Sequence, residues 1–157
     1  MKKIFNKGIS LIEIIIIIAI ISIITAITIP NLSSFRNQRE MINTKEDIIA
    51  LLNEARNSTI SSKNSTNYGV HIQTDRAILF PGDVFVDDIN NKQIDFDLSV
   101  NVPSTGGLNL SGGGDDIVFE RLTGNTENHG TIIIQLTSDS SVQKTITISS
   151  LGIISSD

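Results

Sequence analysis

Residues 7–30 read KGISLIEIIIIIAIISIITAITIP, a stretch of almost pure hydrocarbon to which isoleucine contributes most of the side chains. From Ile14 to Phe35 no residue is charged, a run of 22. A helix of roughly 20 apolar residues suffices to cross a bilayer core. The run exceeds the roughly 7–15 apolar residues of a secretory signal peptide, and no A-x-A cleavage site follows it. A helix apolar on every face for this length is also more than the rest of the chain can cover. The stretch therefore predicts a membrane-spanning helix. One residue disturbs the pattern. Glu13 places a carboxylate near the start of the run, where insertion costs up to about 2.5–3.5 kcal/mol at the centre and less near the interface. It calls either for water within reach or for a cationic partner.

Outward from this stretch, charge changes sign. Residues 1–8 hold Lys2, Lys3 and Lys7 and no acid, whereas the whole chain of 157 residues carries a net charge of −5. Without those three lysines, 9 basic residues face 17 acidic ones, a balance of −8. Such a chain has no general electrostatic attraction for nucleic acid. Arg36, Arg39 and Lys45 follow the apolar run closely, so the basic residues on its two sides nearly balance and charge alone does not orient it. The absence of cysteine excludes disulfides, thiolate zinc sites and a thiol nucleophile.

The heptapeptide KGISLIE, residues 7–13, resembles the class III signal of type IV prepilins and pseudopilins: a short basic leader ending in Gly, then an apolar residue, Ser or Thr, Leu, an apolar residue and Glu. The resemblance implies that prepilin peptidase cuts the Gly8–Ile9 bond and N-methylates the new terminus, Ile9. The residue after the cut is usually Phe in that family and is Ile here. Pro30 falls where the family has its helix-kinking proline, and proline lacks the N–H and crowds the preceding turn. Glu13 then gains a cation made by the protein itself, the amine of Ile9. That amine lies four residues away on the same helix, or on an incoming subunit of a staggered filament. Either pairing makes Glu13 an assembly residue.

Beyond Pro30 the pattern turns amphipathic, with Met41, Ile42, Ile48, Ile49, Leu52 and Ala55 at three-, four- and seven-residue spacings. After the polar break SSKNSTN, residues 61–67, short β-branched runs read as strands. They cover 68–72, 76–80, 84–86, 93–102, 116–120, 131–137, 144–149 and 152–155, the last three as an antiparallel meander. The expected fold class is α+β: a long N-terminal helix, its transmembrane and amphipathic halves kinked near Pro30, packed on an antiparallel β-sheet domain. The expected organisation is a leader over 1–8, a transmembrane and assembly half over 9–30, an amphipathic half over 31–62, and a β-rich globular pilin domain over 63–157. LLNEARNSTI (51–60) and the closing strands, with Phe119, Gly124 and Gly152, resemble GspH/FimT-type minor pseudopilins. Phe119 and Gly124 stand one residue further apart than that group's F-x-x-x-G turn, and Ile153 replaces the basic residue often found after the last glycine.

His71 and His129 have no metal-ligand spacing, no G-x-S-x-G elbow is present, and SGGGDD lacks the lysine of a phosphate loop. The acidic pairs Asp87–Asp88 and Asp115–Asp116 fall short of the six to eight oxygens that calcium takes. No catalysis, cofactor or metal is expected. The resemblance implies a subunit of a type II secretion pseudopilus or a type IV pilus. Its implied partners are prepilin peptidase, other pilin or pseudopilin subunits, and the inner-membrane assembly platform with its secretion ATPase. The implied location is the inner membrane, spanned once, with a cytoplasmic N-terminus and an external domain, and afterwards the filament. A major pilin and a DNA-binding minor pilin are the alternatives. The second needs a basic edge, yet residues 122–157 contain Lys144 alone against Glu127, Asp139 and Asp157.

Overall fold

The computed structural model describes residues 9–157, except for the side chains of residues 27–32. A boundary between two compact units falls after Arg36, giving Met1–Arg36 and Asn37–Asp157. Helix α1 is assigned over Leu11–Ile60, and its described side chains lie in two stretches, 11–26 and 33–60.

Two expectations are corrected here. No helix of the described residues is long and apolar enough to cross a membrane. The transmembrane half of the expected fold therefore falls away, and with it the single-pass placement in the inner membrane. The fold also carries two antiparallel sheets where one was expected. Gly8 and the side chain of Pro30, the expected cleavage and kink positions, lie outside the described residues.

In the second unit, the helix buries Met41, Thr44, Ile48, Leu51, Leu52, Ala55 and Thr59. These positions recur every three or four residues and so line one face. The helix ends by handing its last buried side chain to the next element. Thr59 Oγ1 accepts a hydrogen bond from the Tyr68 backbone N–H at 2.9 Å. Between them lies a single 3₁₀ turn, Lys63–Ser65.

The first sheet contains β1 (Tyr68–Ile72), β2 (Arg76–Pro81), β3 (Lys92–Asp95) and β6 (Asp116–Phe119), in the order β3-β2-β1-β6. The second contains β4 (Val100–Asn101), β5 (Leu108–Leu110), β7 (Gly130–Leu136), β8 (Asp139–Ile148) and β9 (Ile154–Ser156). Its order is β4-β7-β8-β9, with β5 also paired to β7. The closing meander β7-β8-β9 thus forms as expected from its β-branched alternation.

The expected strand over 93–102 is broken by Asp97. Its carboxylate accepts from the backbone N–H of Ser99 at 2.9 Å and from Ser99 Oγ at 2.6 Å. Its carbonyl accepts from Val100 N–H at 2.8 Å. This turn lets the chain leave the first sheet at β3 and enter the second at β4, which is why there are two sheets. The expected strand at 84–86 is a loop. Phe85 turns inward and stacks on His71, ring centroids 4.0 Å apart, with its ring 5.5 Å from and edge-on to Phe80, while Val84 and Val86 stay exposed.

One core unites the helix face with Val70, Ile72, Ile117 and Phe119 of the first sheet and Ile132, Ile134, Ile146 and Ile148 of the second. Leu52 is 0% exposed within it. Leu52→Ala is expected to destabilise the unit by about 2–5 kcal/mol, through lost burial and the cavity left behind. Urea denaturation of the chain should read this as a lower midpoint at unchanged slope.

Candidate functional site

The amino-terminal helix begins where the carbonyl of Ser10 accepts the N–H groups of Glu13 at 3.1 Å and Ile14 at 3.3 Å. Every described side chain from Ile9 to Ala26 is exposed. The large apolar ones range from 43% exposed at Ile14 to 77% at Leu11. The two hydroxyls towards its end are turned back onto the helix: Ser22 Oγ donates to the Ile18 carbonyl at 2.7 Å, and Thr25 Oγ1 donates to the Ile21 carbonyl at 2.8 Å. Back-bonding of this kind satisfies the hydroxyl locally and leaves hydrocarbon facing outward. Exposed apolar surface of this extent is unusual for a protein that stands alone in water.

Glu13 is the one charged residue among residues 9–26 and is exposed. It sits in the first turn, where a carboxylate is favoured by the unpaired N–H groups of the helix start. Among the described residues it forms no ion pair. The Ile9 nitrogen is an amide in the uncut chain and becomes an ammonium only if the bond to Gly8 is broken. Of the expected site residues, then, Ile9 lies two residues before the helix and Glu13 in its first turn.

The closing-strand residues come together at a second place, inside the Asn37–Asp157 unit. Gly124 ends a turn in which its N–H donates to the Glu120 carbonyl at 2.9 Å, and Gly152 ends another in which its N–H donates to the Ser149 carbonyl at 2.9 Å. Both are left-handed, with φ +69 and +70. Arg56, on the last turns of α1, reaches both turns: Nε donates to the Gly124 carbonyl at 3.4 Å and Nη2 donates to the Leu151 carbonyl at 3.5 Å. Phe119 is fully buried in the core beneath. Arg56 was not singled out from sequence, because an arginine on a polar helix face carries no local signal of a partner 68 residues away.

The remaining candidate groups are occupied by local structure. His71 Nδ1 lies 2.6 Å from Asp116 Oδ1, and Phe85 covers its ring. It is half-buried, and forms one wall of a hollow of about 500 Å³ together with Gln73, Thr74, Ser104 and Asp115. His129 is exposed, with Nδ1 3.1 Å from the Glu127 carbonyl. Asp88 accepts from the Asn90 backbone N–H at 2.8 Å and from its side-chain amide at 2.7 Å. Those bonds, the backbone one foremost, hold its carboxyl below the usual range. Among the described residues no group of three or more His, Cys, Asp or Glu side chains could hold a metal ion. Arg121, a basic residue close to the acidic carboxy-terminal stretch, donates to the Ser65 carbonyl at 3.0 Å.

No family model matches the chain, and neither a curated protein nor a solved structure matches it.

Proposed function

We propose that this chain is a non-catalytic subunit of a pilin-like filament, a minor pseudopilin or pilin of the GspH/FimT kind. In this reading, prepilin peptidase cuts after Gly8, Ile9 becomes the methylated amino terminus, and an ATPase-driven assembly platform adds the product to sibling subunits in a secretion pseudopilus or a pilus. Pro30 is the kink position of the helix in this reading. The observation that carries the reading is the exposed apolar stretch from Ile9 to Ala26, helical from Leu11, with a single carboxylate, Glu13, in the first turn of the helix. Neighbouring copies of the same helix are its natural cover, and a neighbour's Ile9 amine is the natural partner of Glu13. That pairing also sets the axial register, because a buried charge without its partner costs several kcal/mol. The test is mass spectrometry of the protein recovered from its native cell. The expected amino-terminal residue is Ile9, heavier by one methyl group. A recovered chain beginning at Met1, or beyond Ala26, would remove both the cleavage and the amine on which assembly depends.

A further inference from the structure

Three segments of the Asn37–Asp157 unit meet where α1 ends: the last helical turns with the 3₁₀ turn after them, the turn at 120–124 and the turn at 149–152. Arg56 donates to the carbonyls of Gly124 and Leu151. Arg121 ties the middle segment to the first, through its Nη1 bond to the Ser65 carbonyl and its backbone N–H bond to Asn67 Oδ1 at 3.1 Å. Charge sets this face apart. Residues 37–157 hold 8 basic and 16 acidic side chains, yet residues 55–67, 121–126 and 148–154 contain Arg56, Lys63 and Arg121 and no acid. None of these three cations forms an ion pair among the described residues. Glu120 and Glu127 stand at the margins of the middle segment, and the Glu120 carboxylate accepts from Thr123 Oγ1 at 3.4 Å. The face also presents hydrocarbon: Leu122 is 76% exposed, Leu151 59% and Ile153 58%. Backbone strain gathers here as well. Among the described residues the non-glycine positions with left-handed φ are Ser62, Asn64, Ser65 and Leu122, from +52 to +71, and all four belong to this face. A leucine held left-handed and then left in water goes against two preferences at once. Departures of that kind persist where function uses them.

We propose that this face docks on an anionic lipid surface. Leu122, Leu151 and Ile153 enter the interface between headgroups and acyl chains. Lys63 and Arg121, both exposed, meet lipid phosphates, and their long stems let the charge stay at headgroup level. Arg56, half-buried behind them, adds its charge from the protein side. Charge complementarity selects the occupant and its orientation together. The rest of the unit is acidic and is repelled by anionic headgroups, so only this face can turn towards them. A soluble polyanion would pair with the three cations but offer nothing to the leucines and the isoleucine. A lipid interface takes both, and being fluid it accommodates tips that stand on separate turns. No segment crosses the lipid in this contact, and the inference does not depend on the filament reading.

The absence of native cysteine allows one dye to be placed at a chosen point of the full-length chain. Ser150→Cys puts it beside Leu151. Ser140→Cys is the control, at the opposite end of the β7–β8 ladder, about 20 Å away at about 3.3 Å per residue. Each labelled chain is mixed with vesicles of phosphatidylcholine alone, or of phosphatidylcholine and phosphatidylglycerol in equal amounts. The apolar stretch from Ile9 to Ala26 can enter either vesicle, so the readout is local: quenching of the dye by acrylamide, which is uncharged. At residue 150 quenching should be about threefold weaker on the anionic vesicles than on the neutral ones. It should not change at residue 140, and about 1 M salt, which screens charges beyond about 3 Å, should restore it at residue 150. Lys63→Glu with Arg121→Glu should abolish the protection. Leu122→Asn suits the left-handed position better than leucine does, so it should fold at least as well and still lose most of the protection. Equal quenching on the two vesicles, protection of both labels, or full protection in the charge-reversed or Leu122→Asn chain would overturn the proposal. Protection at residue 150 by a lipid-free extract, but by neither vesicle, would overturn lipid as the occupant in favour of a protein.

Discussion

Replacing Glu13 by alanine is expected to leave cleavage at Gly8–Ile9 intact and to abolish incorporation of the chain into filaments. The variant helix is more apolar than the original, so nothing in it should hinder the peptidase, which acts on the bond before Ile9. The loss appears only when subunits meet. In the proposed filament the exposed surface from Ile9 to Ala26 would become an interior covered by neighbours, and an ammonium on Ile9 would then have no carboxylate to meet. Removing one member of a buried ion pair costs about 3–5 kcal/mol. At 1.4 kcal/mol per decade, that lowers the association constant of each contact at least about a hundredfold. Sedimentation of sheared filaments, with mature and precursor chains separated by size, checks both halves. Glu13→Asp should give an intermediate yield, since the charge remains while its reach shortens by one methylene. Normal sedimentation of the alanine variant would make Glu13 a surface residue of the helix start, favoured there by the helix dipole alone.

The parts of this fold that were legible in the sequence are those in which local pattern and tertiary packing agree. The helix face is one. Met41, Ile48, Leu52 and Ala55 were read from spacing and are buried. The same reading included Ile42, which is 46% exposed, and passed over Thr44 and Thr59, 5% and 0% exposed. A residue type does not reveal that a threonine will find a backbone partner across a chain reversal, as Thr59 does on Tyr68. Strands β7 and β8 were legible because their alternation is long. The loop at 82–91 was not. Val84-Phe85-Val86 has a strand's composition, and only the long-range stack of Phe85 on His71 removes it from the ladder. The division into two sheets turns on Asp97, whose side chain competes with the ladder for backbone N–H groups. The apolar run misled in another way. Its composition alone predicted a span, whereas among the described residues no helix is long and apolar enough to cross a membrane. The proposed assembly site is legible only as chemistry, a carboxylate four residues from the residue that the proposed cleavage would make the amino terminus.

Gly152→Val is expected to cause one of the largest losses of stability of any single change outside the core, about 3 kcal/mol or more. Two costs add. At φ +70 a β-branched residue is held in a left-handed conformation that it strongly disfavours. A Cβ at this position would also stand 1.9 Å from the carbonyl oxygen of Gly124 and 2.9 Å from Arg56 Nε. The first obstacle is backbone and cannot rotate away, so the turn at 149–152 has to lift from the turn at 120–124. Arg56 bridges those turns, and β9 follows directly after the first of them. Gly124→Ala provides the control. Its φ is +69, so it incurs the same kind of backbone cost, but its Cβ would meet Ile60 Cδ1 at 2.7 Å, the end of a flexible side chain on the last residue of α1. Its loss should be smaller, about 1–2 kcal/mol. Arg56→Ala should cost less again, about 1 kcal/mol or below, since its bonds to the two turns are long, 3.4 and 3.5 Å. Chemical denaturation of the three variants should rank them in this order. If Gly152→Val proved no worse than Gly124→Ala, the two turns would separate without loss, and the convergence of Arg56, Gly124 and Gly152 would not be what holds the end of the helix to the closing strands.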